Sequence, residues 1–131
     1  MLGAFVLLHA GIADSRMWAA TVDALSDSYR VITYDQRGFG RSQPAPIVPF
    51  RPMDDVVAVL DHLTVDRFSV IGCSMGGTLV IDLAVQHPRR VQALGAQIET
   101  LPGVDHNMPE RAGSKFTNLL RQFLDATLCS D

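Results

Sequence analysis

The sequence contains few of the residues that mark several large classes of protein. Among its 131 residues there are only two cysteines, one tryptophan and one lysine, Lys115. Two cysteines are too few for a disulfide framework, so we expect a reducing, cytoplasmic setting. The arginines are scattered along the chain, and no basic stripe indicates nucleic acid or an anionic membrane as a partner.

Long apolar runs are scarce as well. None approaches the ~20 residues that cross a bilayer, and residues 1–8 lack the positive charges that begin a signal peptide. The four histidines do not have metal-ligand spacing, so we predict no metal and no other cofactor. The chain does have 47% apolar residues and a net charge of −3, which suits one domain over residues 1–131.

Short apolar runs alternate with helical patterns along this chain. The apolar periodicity predicts strands at 4–8, at 31–34, from 68 and at 91–98, with helical patterns between them and after residue 114. This alternation predicts an α/β fold, a three-layer α/β/α sandwich with a mostly parallel sheet. Ligands of such sheets bind at the carboxyl ends of the strands. Gly11, Ser74 and His106 each follow a predicted strand end.

Residues 72–76 read Gly-Cys-Ser-Met-Gly, a Gly-x-Ser-x-Gly pattern between an apolar run and a helical pattern. This arrangement is typical of a nucleophile elbow, a tight turn that lifts a serine hydroxyl clear of the backbone. Gly72 and Gly76 lie where strand and helix would pass too closely for side chains. The helix N-terminus directs N–H groups at the same point, where they stabilise an oxyanion. The pattern therefore predicts Ser74 as a nucleophile.

Three ordered segments resemble the α/β-hydrolase superfamily. They are Leu-Leu-His-Ala-Gly at 7–11, Tyr-Asp-Gln-Arg-Gly-Phe-Gly-Arg-Ser at 34–42 and the elbow at 72–77. Their spacing is similar to that of esterases, enol-lactonases and cofactor-free haloperoxidases, and the resemblance covers residues 5–94. It implies a serine hydrolase that cleaves a small-molecule carboxylic ester or lactone through an acyl-enzyme on Ser74.

The resemblance also assigns roles around the elbow. The N–H of Met75 and an N–H of Gly11 or Ile12 would form the oxyanion hole. Because the backbone supplies the Met75 N–H, the Met75 side chain is expected to matter little. His9 would hold the oxyanion turn, and Asp35 with Arg37 would tie down the next turn without reacting.

The tail resembles the end of the family's chain. Residues 101–106, followed by an amphipathic pattern, are similar to its last strand end, catalytic-histidine loop and C-terminal helix. On this alignment His106 is the general base and Glu99 is the best available triad acid. The chain would then be a shortened member without the cap and the acid-bearing strand. The alternative alignment makes residues 101–131 the start of a cap, and His106 is then not catalytic.

Two other functions stay open at this point. A chain that lacks outer strands would expose unpaired sheet edges, so a weak or silent hydrolase remnant could associate as a homo-oligomer. Perhydrolase or haloperoxidase activity would use the same triad. The remnant differs from the esterase in its partner and the perhydrolase or haloperoxidase in its second substrate, but all three have the same predicted fold.

Overall fold

The structure is a computed structural model that describes residues 3–43 and 47–97. Four strands and three α-helices follow one another in alternation over most of this length. In chain order they are β1 (Ala4–Leu8), α1 (Ala19–Leu25), β2 (Arg30–Thr33), α2 (Pro52–His62), β3 (Phe68–Cys73), α3 (Met75–Gln86) and β4 (Val91–Gln97). Short 3₁₀ helices cover Ser15–Trp18 and Gly40–Ser42.

The four strands form one sheet in the order β2-β1-β3-β4, and every neighbouring pair is parallel. The predicted parallel sheet is confirmed over these strands. β1 and β3 are central, and Leu8 at the end of β1 pairs with Gly72 near the end of β3. Because all strands run in one direction, the residues that follow them gather at a single edge of the sheet.

Helices cover both faces of this sheet, as the three-layer prediction requires. Alternate side chains of a strand point to opposite faces; thus Phe5 and Leu7 pack on the α1 side, whereas Val6 and Leu8 face α2 and α3. Trp18 is fully buried in the first cluster. The second cluster is the larger, and its helix members are Met53, Val56, Leu60, Leu79, Val80 and Leu83.

β2 lies at Arg30–Thr33, one residue earlier than predicted. β4 is described over Val91–Gln97, and the last residue of its predicted range lies outside the described residues. Pro52 begins α2, where its missing N–H has no intrahelical acceptor. Met53, Val56 and Leu60 are buried on the inner face of α2, whereas Val59 and Leu63 are half-buried.

Candidate active site

Ser74 is the single residue between β3 and α3, and its backbone adopts an uncommon conformation. Its φ is 55° and its ψ is −110°, a combination that glycine dominates at the first central position of a type II′ turn. An L-residue held there stores about 1–3 kcal/mol of strain, which typically occurs where function requires it. The side chain is exposed at the end of a strand whose six residues are all buried. The predicted elbow geometry is therefore present.

Gly72 and Gly76 are required by close backbone approach. A Cβ at Gly72 would collide with the backbone of Gly76 and Gly77, and a Cβ at Gly76 would collide with the carbonyl group of Leu8. At these two glycines the strand, the turn and the helix thus approach one another through backbone atoms. This contact also presses the start of α3 against the end of β1, which brings the segment after β1 beside the elbow.

The segment after β1 is a β-turn with Gly11 and Ile12 at its centre. The N–H of Ala13 donates to the carbonyl of Ala10 at 3.1 Å, and the two central N–H groups of such a turn do not take part in that bond. A Cβ built on Gly11 would lie 3.4 Å from Met75 Sδ, so the turn and the elbow are in contact. The structure brings Gly11, Ile12, Ser74 and Met75 together at one edge of the sheet.

The Met75 side chain lies beside the Gly11 turn and lines two separate cavities. One is a groove of about 480 Å³ that follows α3, and the other is a pocket of about 170 Å³ behind Phe39 and Phe50. Met75 lines both cavities, whereas Ser74 lines neither. The expectation that the Met75 side chain matters little stays a prediction.

His9 links β1 to the turn after β2. Its ring is fully buried, Nδ1–H donates to the carbonyl of Ala10 at 2.8 Å, and Nε2 accepts the backbone N–H of Gln36 at 3.0 Å. Because a backbone N–H can only donate, Nε2 carries no proton in this arrangement, and the ring is the neutral Nδ1–H tautomer. The Gln36 side chain returns a bond to the His9 carbonyl at 3.2 Å. These bonds hold the base of the Gly11 turn in place.

Two carboxylates hold the other side of that turn. Asp14 accepts the backbone N–H of Arg16 and pairs with its guanidinium at 2.7 Å. The Arg16 side chain and then its N–H lower the pKa of Asp14 to about 2. Asp35 accepts N–H groups from Ser15 and Arg41, each at 2.8 Å. Burial opposes ionisation of Asp35, but these hydrogen bonds outweigh it and lower the pKa.

Arg37 ties the turn after β2 to helix α2. Its guanidinium forms two hydrogen bonds to the Asp55 carboxylate, at 2.7 and 3.1 Å, and lies 4.5 Å from the centre of the Phe50 ring. A bidentate pair of this kind fixes both distance and orientation. Asp35 and Arg37 thus make structural contacts, in keeping with the tying role that the resemblance implied.

The remaining predicted site residues, Glu99 and His106, lie outside the described residues. Within residues 3–43 and 47–97, no cluster of three or more His, Cys, Asp or Glu side chains is placed to hold a metal ion. No helix in the same stretch has the length and apolar character to cross a membrane. Sequence reasoning missed Gln36, whose buried position has no periodic signal because it lies in a loop.

The fold and the elbow together define the class of this protein. The family model described as the alpha/beta hydrolase fold matches residues 3–126, and the chain belongs to that family. A protein of Agrobacterium fabrum with the provisional name carbamate hydrolase RutD is 33% identical over 93 residues, which are 68% of this chain and 36% of that protein.

Two solved structures are similar as well. The enol-lactonase of Burkholderia xenovorans LB400 has 36% identity and a TM-score of 0.67 over 72% of this chain and 37% of its own. A thermophilic esterase of Thermogutta terrifontis has 32% identity and a TM-score of 0.68 over 73% of this chain and 36% of its own. The chain thus spans little more than a third of the length of these relatives. These similarities agree with the family model and assign this chain to the alpha/beta hydrolase fold.

Proposed function

We propose that the protein is a serine hydrolase that cleaves small carboxylic esters or lactones through an acyl-enzyme on Ser74. The observation that carries this proposal is the Ser74 backbone, held at a φ of 55° with its side chain exposed. A strained serine between a buried strand and a helix N-terminus is well placed to attack a carbonyl carbon.

The oxyanion that forms in this attack needs N–H donors at the same point. The N–H of Met75, in the first turn of α3, has no acceptor within its own helix. Gly11 or Ile12 contributes a second N–H from the adjacent turn, which lies against Met75. Two such donors, together with the positive end of the helix dipole, stabilise the developing negative charge.

Proton transfer is assigned to residues beyond the described part. In the proposed reaction His106 takes the Ser74 proton as the Oγ–carbon bond forms and returns it to the leaving alkoxide. A water molecule then attacks the acyl-enzyme and restores the serine. Glu99 would orient the His106 ring. Losing the acid of a serine triad lowers turnover on the order of ten-thousandfold, so the identity of this carboxylate decides the rate.

The activities for which the relatives are named support carbonyl hydrolysis in general and differ in the bond that is broken. An esterase, an enol-lactonase and a carbamate hydrolase all release a heteroatom from a carbonyl carbon. Esters and lactones have an alkoxide leaving group and no nitrogen on the carbonyl carbon, whereas a carbamate has that nitrogen. We propose esters and lactones as the substrates of this chain. Ethyl butyrate, γ-butyrolactone and ethyl carbamate form a matched set for the test.

The test has two stages. A fluorophosphonate probe should label the full chain and the Ser26→Ala control, in which an exposed helix-end serine is changed, but not Ser74→Ala. Wild-type chain that has not been exposed to the probe should then hydrolyse ethyl butyrate or γ-butyrolactone faster than ethyl carbamate. Labelling of Ser74→Ala at the wild-type rate would show that Ser74 is not the nucleophile. Faster hydrolysis of ethyl carbamate than of the other two compounds would make carbamates, and not esters or lactones, the substrate class.

A further inference from the structure

The two cavities beside the elbow share three residues. Gln36, Pro52 and Met75 line both the groove and the pocket, so these side chains form the wall between them. Gln36 is buried and bonded to His9 through both its backbone and its side chain. Pro52 is fixed by its ring at the start of α2. Met75 is the one flexible member, with an unbranched side chain that adapts its shape.

The smaller cavity has the size and the lining of a ring-binding pocket. The described residues around it include three aromatic side chains, Tyr34, Phe39 and Phe50, and the Arg37–Asp55 pair closes one side. Its volume is about 170 Å³. An engineered apolar cavity of about 150 Å³ binds benzene, so the pocket has room for a single six-membered ring.

The larger cavity has a different character. Beyond Met75 it follows one face of α3 past Thr78, Asp82 and Gln86, with Arg51 on the opposite side. These polar and charged side chains suit a flexible or hydrated part of a substrate and not a bare ring. Met75, the residue that follows Ser74 in the chain, therefore lies between two chemically unlike spaces.

We propose that the pocket of Tyr34, Phe39 and Phe50 binds a ring-sized apolar group of the substrate, and that the Met75 side chain determines this specificity. The inference rests on the proposed ester hydrolysis and narrows its substrate class to esters with an aromatic or similarly sized ring. Met75 has two separate roles in this account. Its backbone N–H binds the oxyanion, whereas its thioether keeps the ring in the pocket and out of the groove.

The ratio of kcat/KM for a ring ester to kcat/KM for ethyl acetate isolates the role of the Met75 thioether, because changes at the oxyanion hole affect all esters alike. Ethyl phenylacetate places the ring on the acyl side, benzyl acetate places it on the alcohol side, and ethyl acetate has no ring. We expect the wild type to have a higher kcat/KM for at least one ring ester than for ethyl acetate. Met75→Ala should lower that preference about tenfold, the range that small changes in apolar pockets produce.

Two further variants distinguish the loss of pocket contacts from misfolding of the elbow. Met75→Leu preserves the volume and should keep the preference within about threefold. Phe50→Ala removes the opposite wall without touching the elbow, since Phe50 lies before α2 and is 39% exposed; it should lose the preference as Met75→Ala does. Equal ring preference in wild type, Met75→Ala and Phe50→Ala would overturn the inference, as would a wild type without ring preference.

A binding measurement separates this inference from the proposed function. The chain has five methionines, and in protein with ¹³C-methyl methionine the Met75 signal is the one that Met75→Leu removes. Phenylacetamide should shift that signal through its ring current, and acetamide should not. If phenylacetamide shifts the Met75 signal but the chain hydrolyses no ester, the ring-binding pocket is supported and the hydrolase proposal is refuted. If the chain hydrolyses esters but the signal does not shift, the hydrolase proposal is supported and the ring-binding pocket is refuted.

Discussion

Replacing Ser74 with glycine should make the protein more stable while it abolishes activity. The reason is the backbone of the elbow, which holds an L-residue at a φ of 55° and a ψ of −110°. Glycine has no Cβ and adopts this conformation readily. Because the Ser74 side chain is exposed, its removal costs little packing, and the change in stability reports the backbone.

The size of the effect follows from two opposing contributions. Release of the strain contributes about 1–3 kcal/mol. The greater freedom of glycine in the unfolded chain offsets about 0.4–1 kcal/mol of this. A net gain of about 1 kcal/mol raises the melting temperature of a domain of this size by roughly 4 °C. Ser74→Ala retains the Cβ and therefore the strain, so its stability should stay within about 0.5 kcal/mol of the wild type.

Thermal and urea unfolding of the wild type, Ser74→Ala and Ser74→Gly measure these differences directly. Both variants should fail to react with the fluorophosphonate probe, so activity does not distinguish them and stability does. If Ser74→Gly is no more stable than Ser74→Ala, the serine is not strained in solution. The elbow would then be more relaxed than the backbone angles indicate, and the argument from strain to function would lose its basis.

Three other substitutions test separate parts of the structure. Thr64→Gly should stabilise the protein by about 0.5–1 kcal/mol in urea unfolding, because Thr64 occupies the left-handed position (φ 58°) after α2 while Val65 N–H bonds the Leu60 carbonyl. Gly76→Ala should cost about 1–3 kcal/mol since its Cβ meets the Leu8 carbonyl, whereas Gly3→Ala, with no contact closer than 3.8 Å, should cost little; equal costs would contradict the close packing. Asp14 has a folded-state pKa of about 2 against an ordinary 3.8, so its contribution is complete above pH 3.8 and is lost as the pH falls towards 2. Asp14→Asn should therefore make the free energy of unfolding depend less on pH between pH 4 and pH 2. The difference should be on the order of 1 kcal/mol or less, because the Arg16 partner is exposed. An unchanged pH dependence would assign the acid sensitivity to other carboxylates.

The sequence predicts the sheet and the elbow well because both depend on local patterns. Buried strands require runs of apolar residues, and the approach of strand to helix requires glycine at 72 and 76. Side-chain contacts between distant segments have no such pattern. Gln36 bonds His9 across 27 positions, and Met75 becomes the wall of two cavities only when α2 and the turn after β2 are in place. The αL conformation of Thr64 has no sequence signal either, since threonine rarely adopts it.

The elbow and the oxyanion turn depend on contacts that lie within the described residues. β1 and β3 pair directly, Leu8 opposite Gly72, and the start of α3 packs on the end of β1 through Gly76. Ser74 and the proposed N–H donors are therefore fixed relative to one another by backbone contacts within the described residues. In serine proteases the oxyanion hole and binding alone retain a residual 10³–10⁴-fold catalysis over water when triad members are removed. In the proposed mechanism the two halves of the machinery are thus separable: the Gly11 turn and Met75 would stabilise the oxyanion, and Glu99 and His106 would deprotonate Ser74.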